Sequence, residues 1–516
     1  MTAKNLDAAA PARFSVDAIT TRIRLTDVSI LILLALAKIG LHLLVNNQFG
    51  WHRDELDMLD SARYLDWGYV AYPPVTAFIM RAALTLFGPS LVGVRLFPAL
   101  AQAAMMMLAG LMARELGGKR LAQVVAAVAA GIAPVSFLAG ALFSYSSFDA
   151  LWWVLIAYLM IRLLKSDNPR WWLAIGAVIG IGLMTKYTLI FFVAGIVAGV
   201  VITRTRRYLI SPWLWAGVAL ALLIFLPNLI WQVQHNFISL DFLGSIHARD
   251  IRIGRTQDFL KEQLLFSANP ATIPLWVMGL GFYFISKAGK AYRALGWMFL
   301  VPGVLFVVTQ GRSYYLAAAY PMLIAAGAVV MERGVAALSI GWSRLVRIGT
   351  FTALAIGGVL FAAVALPVAP IKSAWWNTVT EINGEFKEQI GWPELVATVA
   401  KIYRALPADE RTQTGILTGN YGEAGAINLY GPAYGLPEAI SGINSYWLRG
   451  YGNPPPQNLI LLGMLPDSAF DTCQLVGQVK NAYGVRNEET SHPDIYFCQH
   501  MRQAWPDFWK RLRGYS

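Results

Sequence analysis

The chain has 516 residues, 56% of them hydrophobic and only 14% charged, with a mean hydropathy of +0.50. Soluble domains carry about a quarter charged residues, so this composition excludes a soluble globular protein and indicates a multi-span membrane protein with a soluble tail. The net charge of +12 does not indicate nucleic acid, because the basic residues sit in short loops between apolar runs.

Residues 1–26 are polar and mixed, with no cleavable signal peptide, so the first apolar run is expected to serve as the insertion signal. Spans are expected at 28–46, 91–113, 121–140, 148–165, 171–186, 188–203, 212–232, 271–287, 294–309, 314–331 and 347–368, about eleven in all. Alternate loops hold Arg114/Lys119/Arg120, Arg162/Lys165/Arg170, Arg204/Arg206/Arg207, Lys287/Lys290/Arg293 and Arg333/Arg344/Arg347. With Arg22 and Arg24 before the first span, that side is expected to be cytoplasmic, as is the N-terminus, 1–27. The membrane domain is then 28–368, and the tail, 369–516, lies outside the cell membrane.

Residues 73–88 are apolar but short, with Arg81 near the middle. Counting them as a span would invert every later loop, so they are expected to form an interfacial or re-entrant helix within a long first outer loop, 47–90. That loop holds Asp54-Glu55, which open the stretch ELDMLDSARYL. Leu56, Leu59, Ala62 and Leu65 fall on one face of an amphipathic helix at the membrane surface. Asp54 then reads either as its N-cap, with Glu55 a first-turn charge, or as a functional carboxylate.

The same outer face collects further polar residues. Lys186 (MTKYT) lies at the end of a short span pair, where snorkelling is the alternative to a ligand role. Arg249, Arg252 and Arg255 (HARDIRIGR) are spaced so that a helical turn would align them. Arg312 precedes Ser313, Tyr314 and Tyr315 at a span start. Asp149 reads as a helix cap beside Trp152 and Trp153, and His52, His235 and His247 show no diagnostic metal spacing. His52, Arg53, Tyr72 and Asp149 are carried forward as candidate substrate contacts.

The tail alternates polar segments and turns with the apolar runs GILTG and NLILLG, between which YGEAGAINLY reads as a helix. Strand–helix–strand order predicts a small α/β domain. The only cysteines, Cys473 and Cys498, both fall here, where a disulfide is favoured over two buried thiols in an oxidising compartment.

A carboxylate base with cations and hydroxyls at one membrane face suits transfer from a lipid phosphate. The leaving phosphate is a stable anion, so Lys or Arg must hold its charge as it develops. An acceptor hydroxyl or amine needs a carboxylate to take its proton.

At these residues the chain resembles bacterial members of the dolichyl-phosphate-mannose protein mannosyltransferase-like family (glycosyltransferase family 39), within the GT-C membrane fold that also includes the aminoarabinose transferase of lipid A. The segments that carry the resemblance include FGWHRDELDMLDSARYLDWGYVAYPPVTAF, GLMTKYT, FLKEQLLFSANP and QGRSYYLAAAYPML, with GNYGEAGAINLYG in the tail. The resemblance implies a polytopic helical bundle whose outer-loop Asp54 is the catalytic carboxylate, supported by Glu55. It implies a donor-phosphate site at Lys186 and the Arg312–Tyr315 segment. The expected reaction is inverting transfer of one sugar from a polyprenyl phosphate, undecaprenyl in a bacterium, to an envelope lipid, glycan or protein at the outer face of the inner membrane. No cofactor is certain. A divalent metal stays open, but Ala71-Tyr72-Pro73-Pro74 stands where the lipid A transferase has an acidic-basic pair before a proline. The rivals are a transporter or flippase and a non-catalytic polyprenyl-phosphate binder. Transporters often show repeated halves and midplane charges, whereas here no repeat is visible and Lys38 is the main charge within a span.

Overall fold

The computed structural model describes residues 26–516, so Arg22, Arg24 and most of the expected N-terminal segment lie outside the described residues. The chain is mostly helical, with a small sheet near its C-terminus. Each of the eleven apolar segments contains a helix, but among the described residues seven helices are alone long and apolar enough to cross a membrane. Three further candidates are pairs bent at a break: Arg120–Gly131 with Pro134–Ala141, Leu189–Ile202 with Arg204–Ile210, and Phe259–Ser267 with Pro270–Phe284. Trp171–Leu183 and Val75–Phe87 are shorter apolar helices of 13 residues, reaching about 20 Å at about 1.5 Å per residue.

Four helices position the first outer loop. They are α1 (Asp27–Val45), α2 (Arg53–Ser61), α3 (Val75–Phe87) and α4 (Leu91–Glu115). Prolines 73 and 74 set the start of α3, whose Arg81 is exposed. Lys38, buried in α1, donates to the Gly131 carbonyl at 2.8 Å and lies 3.8 Å from the centre of the Phe137 ring. It thereby satisfies the carbonyl at the end of a helix that breaks there, a structural use for a charge within a span.

Contacts sort the loops into two ends. Arg120 meets Asp27 at 2.8 Å, the Lys119 amide donates to Glu332, Lys165 meets Glu115 at 2.9 Å, and Arg207 meets Asp167 at 2.5 Å. Basic loops far apart in sequence therefore share one end. The opposite end carries α2, α3 and the tail.

The tail contains five strands: β1 (Thr414–Thr418), β2 (Ala439–Ser441), β3 (Asn458–Leu462), β4 (Phe470–Gln478) and β5 (Asp494–Met501). Their order in the sheet is β2-β1-β3-β5-β4. β1 runs parallel to β2 and β3, whereas β5 is antiparallel to both its neighbours. Cys473 and Cys498 face each other across β4 and β5 and are joined by a disulfide. β1 and β3 are buried along their whole length, which is why they read as continuous apolar runs.

One buried apolar cluster joins the two parts, from Leu56, Leu59 and Met80 to Trp392, Ile427 and Ile460. The helix Tyr421–Tyr430 lies so close on α2 that a Cβ on Gly425 would sit 2.7 Å from the Leu56 backbone. Only glycine permits that approach. It brings a tail helix to the N-terminal end of α2.

Candidate functional site

The start of α2 is capped by His52. Its Nδ1 accepts the Asp54 amide at 3.1 Å, while Glu55 Oε2 accepts the His52 amide at 2.9 Å. This reciprocal pairing satisfies two amide donors at the helix start, and the cap is thus His52 and not Asp54. The second His52 nitrogen lies 2.9 Å from Glu385. With both ring nitrogens engaged and 1% of its surface exposed, His52 stands behind Asp54 and offers no free atom to a substrate. Burial alone would lower its pKa, but Asp54 and Glu385 outweigh that and raise it.

Glu55 faces the other way. It forms a two-pronged ion pair with Arg95, Nε to Oε1 at 2.9 Å and Nη2 to Oε2 at 2.7 Å, with both side chains fully buried. The Phe143 amide also donates to Oε1 at 2.9 Å. Arg95 in turn holds the Asn46 and Gly50 carbonyls. Glu55, expected to support Asp54, thus has both oxygens engaged by Arg95, the Phe143 amide and the His52 amide, and it anchors the loop to α4.

Asp54 is the available member of the pair, with its side chain 38% exposed. Oδ1 accepts the Tyr421 hydroxyl at 2.7 Å, and Arg53 Nε donates to the same hydroxyl oxygen at 2.9 Å. Arg53 also pairs with Glu488 and approaches Glu388 at 4.0 Å. It therefore braces Tyr421 against the tail.

A second wall carries the cations. Lys186 Nζ donates to Ser146 Oγ at 3.0 Å and lies 5.2, 5.2 and 4.3 Å from the ring centres of Tyr145, Tyr314 and Tyr315. Arg312 forks onto Asp250 at 2.5 and 3.0 Å, with Arg255 3.8 Å from the same carboxylate. Arg249 keeps a buried Nε without a partner. Burial lowers its pKa, Asp250 opposes this, and Arg312 and Arg255 add to the lowering. Arg249 and Arg252 share the helix Ile238–Arg252, where Arg252 is exposed, and Arg255 follows the helix end. Asp149 is not a cap; Ser144 holds that position, and buried Asp149 accepts Trp153 Nε1 at 3.2 Å.

The two walls meet at Tyr145, whose ring centre lies 5.2 Å from Lys186 Nζ. Its ring is 5.7 Å from that of Tyr72, whose hydroxyl donates to Asp57 Oδ2 at 3.2 Å. A small apolar cavity among the helices is lined by Gln102, Ala150, Ala317, Ala318 and Tyr320. His235 stacks on Trp231 and His247 is exposed, so the histidines do not converge. Among the described residues no three His, Cys, Asp or Glu side chains are grouped to hold a metal ion.

Residues 71–231 match the family model of dolichyl-phosphate-mannose-protein mannosyltransferases. That match covers under a third of the chain, and the fold is similar to that of solved GT-C structures. The chain is 28% identical over 190 residues to a lipid A galacturonosyltransferase, RgtD, of Rhizobium johnstonii, a match spanning 34% of this chain and 39% of that protein. The crystal structure of ArnT from Cupriavidus metallidurans in the apo state aligns over 92% of this chain and 98% of its own, with a TM-score of 0.56 and 14% identity. The same ArnT bound to undecaprenyl phosphate aligns over 91% and 97%, at 0.52 and 15%. The mycobacterial arabinofuranosyltransferase AftD aligns over 92% of this chain and 40% of its own, at 0.53 and 15%. At these identities the structural likeness concerns the GT-C fold.

Sequence reasoning missed Tyr421, Arg95, Glu385 and Asp250. Arg95 left a signal, a charge inside an apolar helix. Asp250 stood within HARDIRIGR but was overlooked among the arginines. Tyr421 lies in the tail segment GNYGEAGAINLYG that carries the resemblance, but neither it nor Glu385 shows a role until the packing of the tail brings them to α2.

Proposed function

We propose that this chain is an integral-membrane glycosyltransferase that moves one sugar from a polyprenyl phosphate to a lipid acceptor at the extracytoplasmic face. The observation that carries this reading is an accessible carboxylate, Asp54, held by Tyr421, with Tyr145 bridging the first outer loop at Tyr72 and the cluster of Lys186, Tyr314 and Tyr315. The acceptor hydroxyl gives its proton to Asp54 as its oxygen bonds to the anomeric carbon. The bond from that carbon to the phosphate oxygen breaks, and the configuration inverts. The departing phosphate is held by Lys186 and Arg249, with Arg312 orienting through Asp250. A polyprenyl-phosphate donor is consistent with the undecaprenyl phosphate bound by ArnT. A lipid acceptor agrees with the lipid A specificity in the name of RgtD. Basic loops gathered at one end favour that end as cytoplasmic, which puts Asp54 and the disulfide outside an inner membrane.

The reading is tested in proteoliposomes supplied with lipid A and a panel of labelled polyprenyl-phosphate sugars. Wild-type protein should label the acceptor. Asp54→Asn should fold but transfer at least about a hundredfold more slowly, as expected for losing a general base. Undiminished transfer by that variant would remove Asp54 from the mechanism.

A further inference from the structure

The transfer step leaves unused a groove on the outside of the helix Pro212–Gln234. This helix starts just after the basic segment Arg204–Ile210 and ends at the face that carries α2. It is long and apolar enough to cross a membrane, and Leu222, Leu223, Leu226, Leu229, Ile230 and Val233 on it are exposed. In a span, that side meets lipid. Asp66 and Trp67 of the first outer loop lie beside it, and a groove of about 460 Å³ opens between them, lined on the helix by Leu223, Leu226, Pro227 and Ile230. That volume falls within the range of ligand sites, about 300–1,000 Å³.

The walls are braced against closing. Asn228 donates to the Trp67 carbonyl at 2.8 Å, and Trp231 Nε1 donates to Asp66 Oδ2 at 2.8 Å. Gly68 lies so close to Trp231 that a Cβ there would sit 2.4 Å from the indole. The exposed Trp67 is set edge-on to Phe78 of α3, with ring centres 5.6 Å apart.

The lining names the occupant. Its apolar side is continuous with the lipid-facing surface, so a chain passes into it sideways without leaving hydrocarbon. Among the described residues that line it, Asp66 alone is charged, and Gln234 adds an amide. A polyprenyl phosphate carries its charge directly at the end of the chain. Seated here, it would set a phosphate against the Asp66 carboxylate with no lining cation to offset the repulsion. An acylated sugar joins its chains to the head through amide or ester groups, which are uncharged and can pair with Gln234 and Asp66.

We infer that this groove seats an acyl chain of the lipid acceptor and delivers its head along the first outer loop toward Asp54. The inference rests on the transferase reading and names where the acceptor enters. The Tyr69 hydroxyl accepts the Asp66 amide at 3.2 Å. From there the rings of Tyr69, Tyr72 and Tyr145, with centres 5.3 and 5.7 Å apart, lead to Lys186.

Leu226→Trp and Ile230→Trp fill the groove from exposed positions, and Leu222→Trp adds the same bulk on the same helix outside it. Native mass spectrometry of the full-length proteins counts lipid retained on titration with lipid A, undecaprenyl phosphate or phosphatidylglycerol. Lipid A retention should weaken about tenfold or more in both groove variants, as when about two chain methylenes lose their apolar contact. It should hold in Leu222→Trp, and undecaprenyl phosphate should stay bound throughout, which also shows that the variants fold. Loss of undecaprenyl phosphate instead would give the groove to the donor and overturn the inference. So would an equal loss of phosphatidylglycerol, an equal loss in Leu222→Trp, or no loss at all. These measurements need no turnover, so they decide the groove even where no sugar is transferred and the transferase reading has failed. Where transfer is measured, the groove variants should raise the acceptor KM by a similar factor and spare kcat and the donor KM. An unchanged acceptor KM would overturn the inference and leave the transferase reading standing.

Discussion

The Tyr421 hydroxyl donates to Asp54 Oδ1 at 2.7 Å across 367 residues of sequence. The bond joins a tail helix to the first outer loop, and it leaves Oδ2 as the oxygen free to take a proton. Tyr421→Phe keeps the ring beneath Arg53 and removes only this bond and the Arg53 contact. We expect kcat to fall by about tenfold, in line with a lost hydrogen bond to a charged group, with the donor KM little changed. Steady-state kinetics at fixed lipid composition decide it. A variant with wild-type kcat would show that Asp54 is positioned by α2 alone.

His52 ties the same loop to Glu385, and the tie depends on pH. The neutral ring accepts the Asp54 amide at Nδ1, and the protonated ring gives up that bond for ion pairs with Asp54 Oδ2, 3.8 Å away, and Glu385. Its folded-state pKa is raised, so the net contribution is complete below the ordinary imidazole value of about 6.5 and is lost as pH rises through the raised value. Glu385 is half-exposed, and its pKa is lowered chiefly by the His52 hydrogen bond, so its own contribution is lost only in acid. Solvent screening keeps the effect to about 1 kcal/mol or less. The thermal midpoint of wild-type protein should decline between pH 6 and 8.5, and the decline should flatten in Glu385→Gln. Parallel curves for the two proteins would dismiss the coupling.

Much of the helical frame was legible because hydrocarbon demands long apolar runs, and the sheet strands because buried parallel strands read as unbroken apolar segments. The site was harder. Asp54 and Glu55 look like a matched pair on paper, yet neighbours on a helix point roughly 100° apart, so one faces the open site and the other faces Arg95. The arginines of HARDIRIGR stood out as charges seeking an anion, while Asp250 among them already serves Arg312. Tyr421 sits in a segment that reads as an ordinary tail helix. Its importance arises from Gly425, which lets two backbones touch, and no local pattern announces that contact.

The disulfide between Cys473 and Cys498 closes a loop of 25 residues across β4 and β5. A loop of that size is stabilised by about 3 kcal/mol through the unfolded state. Cys473→Ser with Cys498→Ser should lower the denaturation midpoint of the tail measurably while leaving the membrane helices folded. Equal midpoints with and without reductant in wild-type protein would contradict this.

Glu55 and Arg95 supply a sharper separation of scaffold from chemistry. Both are fully buried and each is the other's charge partner. Removing one partner strands the other, at a cost of about 3–5 kcal/mol, whereas replacing both with apolar groups can be nearly neutral. Glu55→Ala should therefore yield little folded protein, and what remains should show a kcat closer to wild type than Asp54→Asn does. Glu55→Leu combined with Arg95→Met should recover much of the lost yield. Size-exclusion monodispersity and kcat per folded molecule provide the two readings. If the single variant folds normally but loses turnover as completely as Asp54→Asn, Glu55 belongs to the chemistry, and the ion pair with Arg95 is only its resting partner.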